Sequence, residues 1–85
     1  MKNAAPLDFA ALEKELATLR ATLQKEATKP EHYDALAAIA KAEDAARQQN
    51  ESALKNHLKS AGKWARDVAT KIGVSLAATA IGQML

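Results

Sequence analysis

Residues 8–23 read DFAALEKELATLRATL, and the spacing of their large apolar side chains decides the fold. Phe9, Leu12, Leu16, Leu19 and Leu23 follow one another at steps of 3, 4, 3 and 4. That alternation puts them on one face of an α-helix, because 3.6 residues make a turn. Asp8 stands where a side-chain oxygen would cap the helix. Leu7 and Leu12 fall at the two positions of a hydrophobic staple. The spacing predicts a helix over 8–26. It has two readings, the core face of an ordinary bundle helix or a short heptad seam between chains. In the second, Glu15 of one chain would face Arg20 of the other.

Two further helices follow. Thr28-Lys29-Pro30-Glu31 matches a capping box, with Thr28 as cap and Glu31 reaching back, and Pro30 is tolerated in a first turn. This predicts a helix over 30–49 with Tyr33, Leu36, Ala37, Ile39 and Ala40 on its apolar face. Seven alanines between Ala35 and Ala46 make it thin enough for neighbours to approach closely. Glu43 is expected at the edge of the packed face, paired with Arg47 one turn on. Asn50 suits either a left-handed helix end or the cap of the next helix. The third helix is expected over 51–84, with a kink at Gly73 or a division before Ser75, which would cap a short fourth helix. Leu54, Leu58, Ala61, Ala65, Val68, Ile72 and Leu76 form its apolar stripe, and Lys55, Lys59, Lys63 and Arg66 cluster on the opposite side with Trp64 at the margin. Residues 1–85 are thus expected to form a single all-α domain, an oligomeric small bundle of three helices, with a short fourth only if the chain divides at Gly73. The second and third segments resemble one tetratricopeptide-like hairpin, without the 34-residue repeat of that family.

Composition agrees. Of 85 residues, 48% are hydrophobic, but many are alanine, and Phe9, Tyr33 and Trp64 are the aromatic side chains. A chain this short buries little surface and sits near the stability margin, so self-association is an expected way to bury more. The absence of cysteine leaves no disulfide to add and fits a reducing compartment. The expected location is cytoplasmic, with no signal peptide and no transmembrane run. The net charge of +2 is uneven: residues 1–51 hold 7 Lys/Arg against 9 Asp/Glu, and residues 52–85 hold 5 against Asp67 alone. Such asymmetry points to pairing within the assembly or to an acidic partner.

Catalytic constellations are missing from the pattern. His32 and His57 have no acidic or histidine partner three or four residues on, and both are expected at the surface. No cysteine nucleophile, glycine-rich phosphate loop or nucleophile elbow is present. No enzyme activity, cofactor or metal is therefore expected.

Two resemblances appear near the C-terminus. Asp67-Val68-Ala69, followed by Gly73-Val74-Ser75, resembles the first helix and turn of a LacI-type helix-turn-helix, which implies DNA binding. After Ser75 the sequence slips one residue against that family, and its second helix would hold no Lys or Arg, leaving Ser75, Thr79 and Gln83 as exposed donors. Residues 53–81, with Leu58-Lys59, Ala61-Gly62-Lys63-Trp64 and Ile72 to Ala78, resemble a helical tail of uncharacterised bacterial proteins, some linked to phage defence. That resemblance implies a bacterial or phage source and a non-enzymatic helper.

The last segment is apolar all round. Val74, Ile81 and Met84 turn toward the arc that holds the lysines, while Leu76 continues the stripe. Such a helix must be covered, and two short neighbours from the same chain are not expected to reach it. A second copy, a protein partner or a bilayer would then provide the cover. Phe9, Leu12, Leu16, Leu19, Leu23, Val74, Leu76, Ile81 and Met84 are the expected self-association residues. Lys55, Lys59, Lys63, Trp64 and Arg66 are the expected basic face for an acidic protein partner. The function expected is a non-enzymatic protein-interaction and oligomerisation module, acting as adaptor, regulator or inhibitor. A membrane-associating amphipathic protein and a helix-turn-helix DNA-binding protein are the alternatives.

Overall fold

The computed structural model describes residues 8–85, and the Leu7 half of the proposed staple lies outside them. Four helices follow in order: α1 (Phe9–Glu26), α2 (Pro30–Arg47), α3 (Glu51–Ile72) and α4 (Ser75–Met84). No strand occurs among the described residues. Sequential helices pack on one another, and α1 also meets α3 and α4. The third helix expected over 51–84 is thus two helices, folded back on each other at Gly73.

Local chemistry explains each boundary. Asp8 caps α1 by accepting from the Ala11 N–H at 3.0 Å. The capping box expected at Thr28 does not form. Lys29 precedes proline and is held extended, at φ −126° and ψ 156°, so the helix starts one residue later than the box requires. His32 takes the third helical position instead, and its Nδ1 accepts from the Thr28 N–H at 3.1 Å. Tyr33 donates its hydroxyl to the Ala27 carbonyl at 3.3 Å. The end of α2 divides the two roles offered to Asn50. Gln49 takes the left-handed conformation, at φ 58°, and Asn50 caps α3 by accepting from Ala53 N–H. At the end of α3, Gly73 is left-handed, and the Val74 N–H returns to the Ala69 carbonyl. Ser75 does not cap α4. Glu15 does so from α1, accepting from the Ala77 N–H at 3.0 Å, where a carboxylate also complements the helix dipole.

The core decides between the two readings of the first helix. Leu16, Leu19 and Leu23 are 0% exposed and Leu12 is 3% exposed within a single chain, packed with Ile39, Leu54, Leu58, Val68 and Ile81. The first of the two readings describes them: within one chain these leucines are core, where the seam between chains would have placed them at an interface. The charge match proposed across it is also spent at home, Glu15 on α4 and Arg20 on Glu43. The buried alanines of α2 lie on a different face from the one expected, since Ala37 and Ala40 are exposed. Ala35, Ala38, Ala42, Ala45 and Ala46 are buried between α1 and α3. Tyr33, expected on that apolar face, is 55% exposed.

Glu43 is 9% exposed and sits deeper than its expected edge position. Its Oε1 accepts from Arg20 Nε at 2.6 Å across α1 and α2, and its Oε2 lies 3.7 Å from Arg47. Arg47 also meets Glu13 at 3.0 Å and Asp44 at 3.2 Å. The Glu13 hydrogen bond, more than any other influence, pushes the Arg47 guanidinium up from its ordinary value. Arg20→Ala would leave a nearly buried carboxylate with its distant partner alone. Urea denaturation is expected to show a loss of about 1–3 kcal/mol, the cost of an under-satisfied buried group. Loss of less than about 0.5 kcal/mol would mean that water replaces Arg20 freely.

Candidate interaction site

Leu76, Ala80 and Met84 are four residues apart and share one face of α4. Leu76 is 46% exposed, while Ala80 and Met84 are half buried against the core. Two notches flank this ridge. One, of about 50 Å³, lies among Asp8, Leu12, Leu76 and Ala80. The other, of about 30 Å³, lies among Leu12, Leu54, Lys55, Leu58, Ala80, Gln83 and Met84. The ridge thus runs between the first turns of α1 and the first half of α3, with leucines flooring both sides. Leu85, just past the end of α4, is 59% exposed.

The tail is covered in a way the sequence reading did not foresee. Ala77 and Ile81 are fully buried by α1 and α3 of the same chain, because Gly73 reverses the backbone and α4 packs back along α3. Ile81 is therefore a core residue of the single chain. Phe9, Val74 and Met84 are half buried against the core. Of the residues assigned to self-association, Leu76 alone is open enough to meet a partner broadly, and Leu85, not among them, joins it.

The basic face is also divided. Lys55 borders the notch beside Met84 and pairs with Glu51 at 2.8 Å. Arg66 lies 3.6 Å from Asp67 and lines a groove with Ala78, Thr79 and Gly82 of α4. Lys63 and Trp64 line a different cleft of about 450 Å³, shared with Lys29, Glu31, His32 and Asp34 at the start of α2. Gly62 lines the same cleft as Lys63 and Trp64. Its φ of 80° and ψ of −173° break the helix inside α3, a conformation restricted almost to glycine. Nothing lies within 4 Å of where a Cβ would stand, so the strain of the backbone and not space selects glycine here. The sequence signal of the break is the glycine itself, because the apolar stripe continues through it in register.

His32, expected at the surface, is half buried and stacked on Trp64, with ring centroids 3.9 Å apart and an interplanar angle of 11°. His57 is half buried in a separate groove with Lys41 and Asp44. No group of three or more potential metal ligands occurs among the described residues. No helix among them is long and apolar enough to cross a membrane. A two-residue turn joins α3 to α4, and the exposed residues of α4 are Ser75, Leu76, Thr79 and Gln83, none of them cationic. The chain matches no protein-family model, no curated protein and no solved structure.

Proposed function

We propose that this chain is a non-enzymatic protein-interaction module, an adaptor, regulator or inhibitor that receives an acidic amphipathic helix of a partner protein on α4. The ridge of Leu76, Ala80 and Met84, open at Leu76 and flanked by leucine-floored notches on both sides, carries the reading. Apolar anchors at helical spacing would fit that relief in the helix-in-groove manner. The overall charge of α3 and α4 favours an acidic partner through long-range attraction, with Lys55 bordering one notch and Asp8 the other. Helices α3 and α4 together hold Lys55, Lys59, Lys63, Arg66 and Lys71 against Glu51 and Asp67, a net of 5 − 2 = +3. Lys59, Lys63 and Lys71 make no ion pair among the described residues. A second copy fits less well, because a two-fold contact sets each patch against itself and would bring these cations together. Duplex DNA fits less well, because α4 has no cation to place against phosphates.

A synthetic helix with leucines at positions i, i+3, i+4 and i+7 and glutamates flanking them tests the assignment. The full chain is expected to bind it, measured by fluorescence anisotropy, and to bind the lysine-flanked version far more weakly. Leu76→Asp, at a half-exposed position, should leave thermal unfolding unchanged and weaken binding about tenfold or more. Equal binding of both peptides, or of neither, overturns the proposal. Binding to anionic vesicles or to duplex in place of the peptide would assign the surface to lipid or to nucleic acid.

A further inference from the structure

We propose that His32 is a proton-operated clamp that ties the α1–α2 turn to the α2–α3 hairpin. Three elements meet at this ring. Its Nδ1 accepts from the Thr28 N–H of the turn at 3.1 Å, its backbone belongs to the first turn of α2, and its face lies on Trp64 of α3 at 3.9 Å. Accepting at Nδ1 requires the neutral ring with its proton on Nε2. The imidazolium has an N–H at both nitrogens and no acceptor, so protonation sets a donor against the Thr28 donor and ends that bond. The same proton strengthens the contact with Trp64, because a cation over an indole face is attracted by the ring quadrupole. The two effects act on different partners. Acid therefore frees the turn while leaving α2 on α3.

The charged groups lining the cleft beside the ring are Lys29 from the turn, Glu31 and Asp34 from α2, and Lys63 from α3. Two positive and two negative charges oppose each other there, so the switch rests on the loss of the acceptor and not on a net field. Release is local. Tyr33 continues to hold Ala27, and Pro30 continues to start the helix. The α1–α2 junction is consequently stiff with the ring neutral and loose with it protonated, and about pH 8 and about pH 5 are the limits to compare, a span that covers histidine chemistry in general.

Amide hydrogen exchange and Trp64 fluorescence of the full chain test this. After allowance for the intrinsic pH dependence of exchange, protection of the Thr28 amide is expected to fall about fivefold between those limits, the worth of one hydrogen bond. Trp64 emission should change over the same range, since an imidazolium stacked on it quenches differently from the neutral ring. His32→Asn keeps an acceptor oxygen at the place of Nδ1 but cannot titrate, so Thr28 protection and Trp64 emission should both lose their pH dependence. His57→Gln should behave as the wild type. Unchanged Thr28 protection in the wild type overturns the clamp, and so does an equal fall in His32→Asn. Trp64 emission that ignores pH in the wild type overturns it too.

Discussion

Leu16→Lys is expected to unfold the chain. Position 16 is 0% exposed, surrounded by the leucines of α1 and the apolar residues of α2 and α3. Removing a leucine side chain from such a site costs about 2–5 kcal/mol before any charge is buried. A domain of 85 residues has about 4–13 kcal/mol in all, at the usual 0.05–0.15 per residue. An ammonium that cannot reach water adds a penalty of similar size or forces the core open. Circular dichroism should show the helical signal largely lost at 25 °C, and Leu16→Ala should retain it with a transition shifted by about 2–5 kcal/mol. A heptad seam between chains predicts something different, a stable helical monomer of halved mass. Sedimentation together with circular dichroism separates the two. A folded Leu16→Lys monomer, derived from a larger wild-type species, would return α1 to the oligomer interface.

Deleting residues 75–85 is expected to cost stability as well as binding. The deletion removes the burial of Ile81, about 1.5–3 kcal/mol by itself, and leaves Glu15 without the Ala77 N–H it caps. It also strips cover from the apolar surface of α1 and α3 that α4 overlies. The truncated chain should unfold at markedly lower urea, or without a cooperative transition. Ile81→Ala should reproduce about 2–5 kcal/mol of the loss. Leu76→Asp, on the opposite side of the same helix, should stay within about 0.5 kcal/mol of the wild type. That contrast matters for reading any binding experiment. Truncation alone would abolish partner binding by damaging the bundle, whereas Leu76→Asp removes the ridge and leaves the core. If the truncated chain unfolds at the same urea concentration as the full chain, α4 is an appendage and not part of the bundle.

The two experiments bear on one correction to the sequence reading. An apolar helix needs cover, and a change of direction supplies it: a helix continuing straight past Gly73 would project beyond its neighbours, but a left-handed Gly73 turns it back beside α3. Small residues then allow close approach. Gly82 lies where an added Cβ would meet the Arg66 side chain at 3.4 Å, and Ala77 is fully buried.

The sequence by itself determined the all-α class, the number of helical segments to within the division at Gly73, the Asp8 cap and the apolar faces of α1 and α3. These follow from periodicity and capping, which are properties of residues a few positions apart. It also determined the thin, alanine-built α2, since side-chain volume needs no neighbour to be known. Tertiary structure alone decided who faces whom. Leu12, Leu16, Leu19 and Leu23 read alike as core or as seam, because a 3-4 stripe states that a face is buried and not by which chain. Glu15 capping α4 across 62 residues, Arg20 reaching Glu43, and His32 lying on Trp64 join residues far apart in the chain. Local pattern has no access to such pairs. The break at Gly62 belongs with them: the apolar stripe runs through it unchanged, so the pattern of apolar residues does not reveal it.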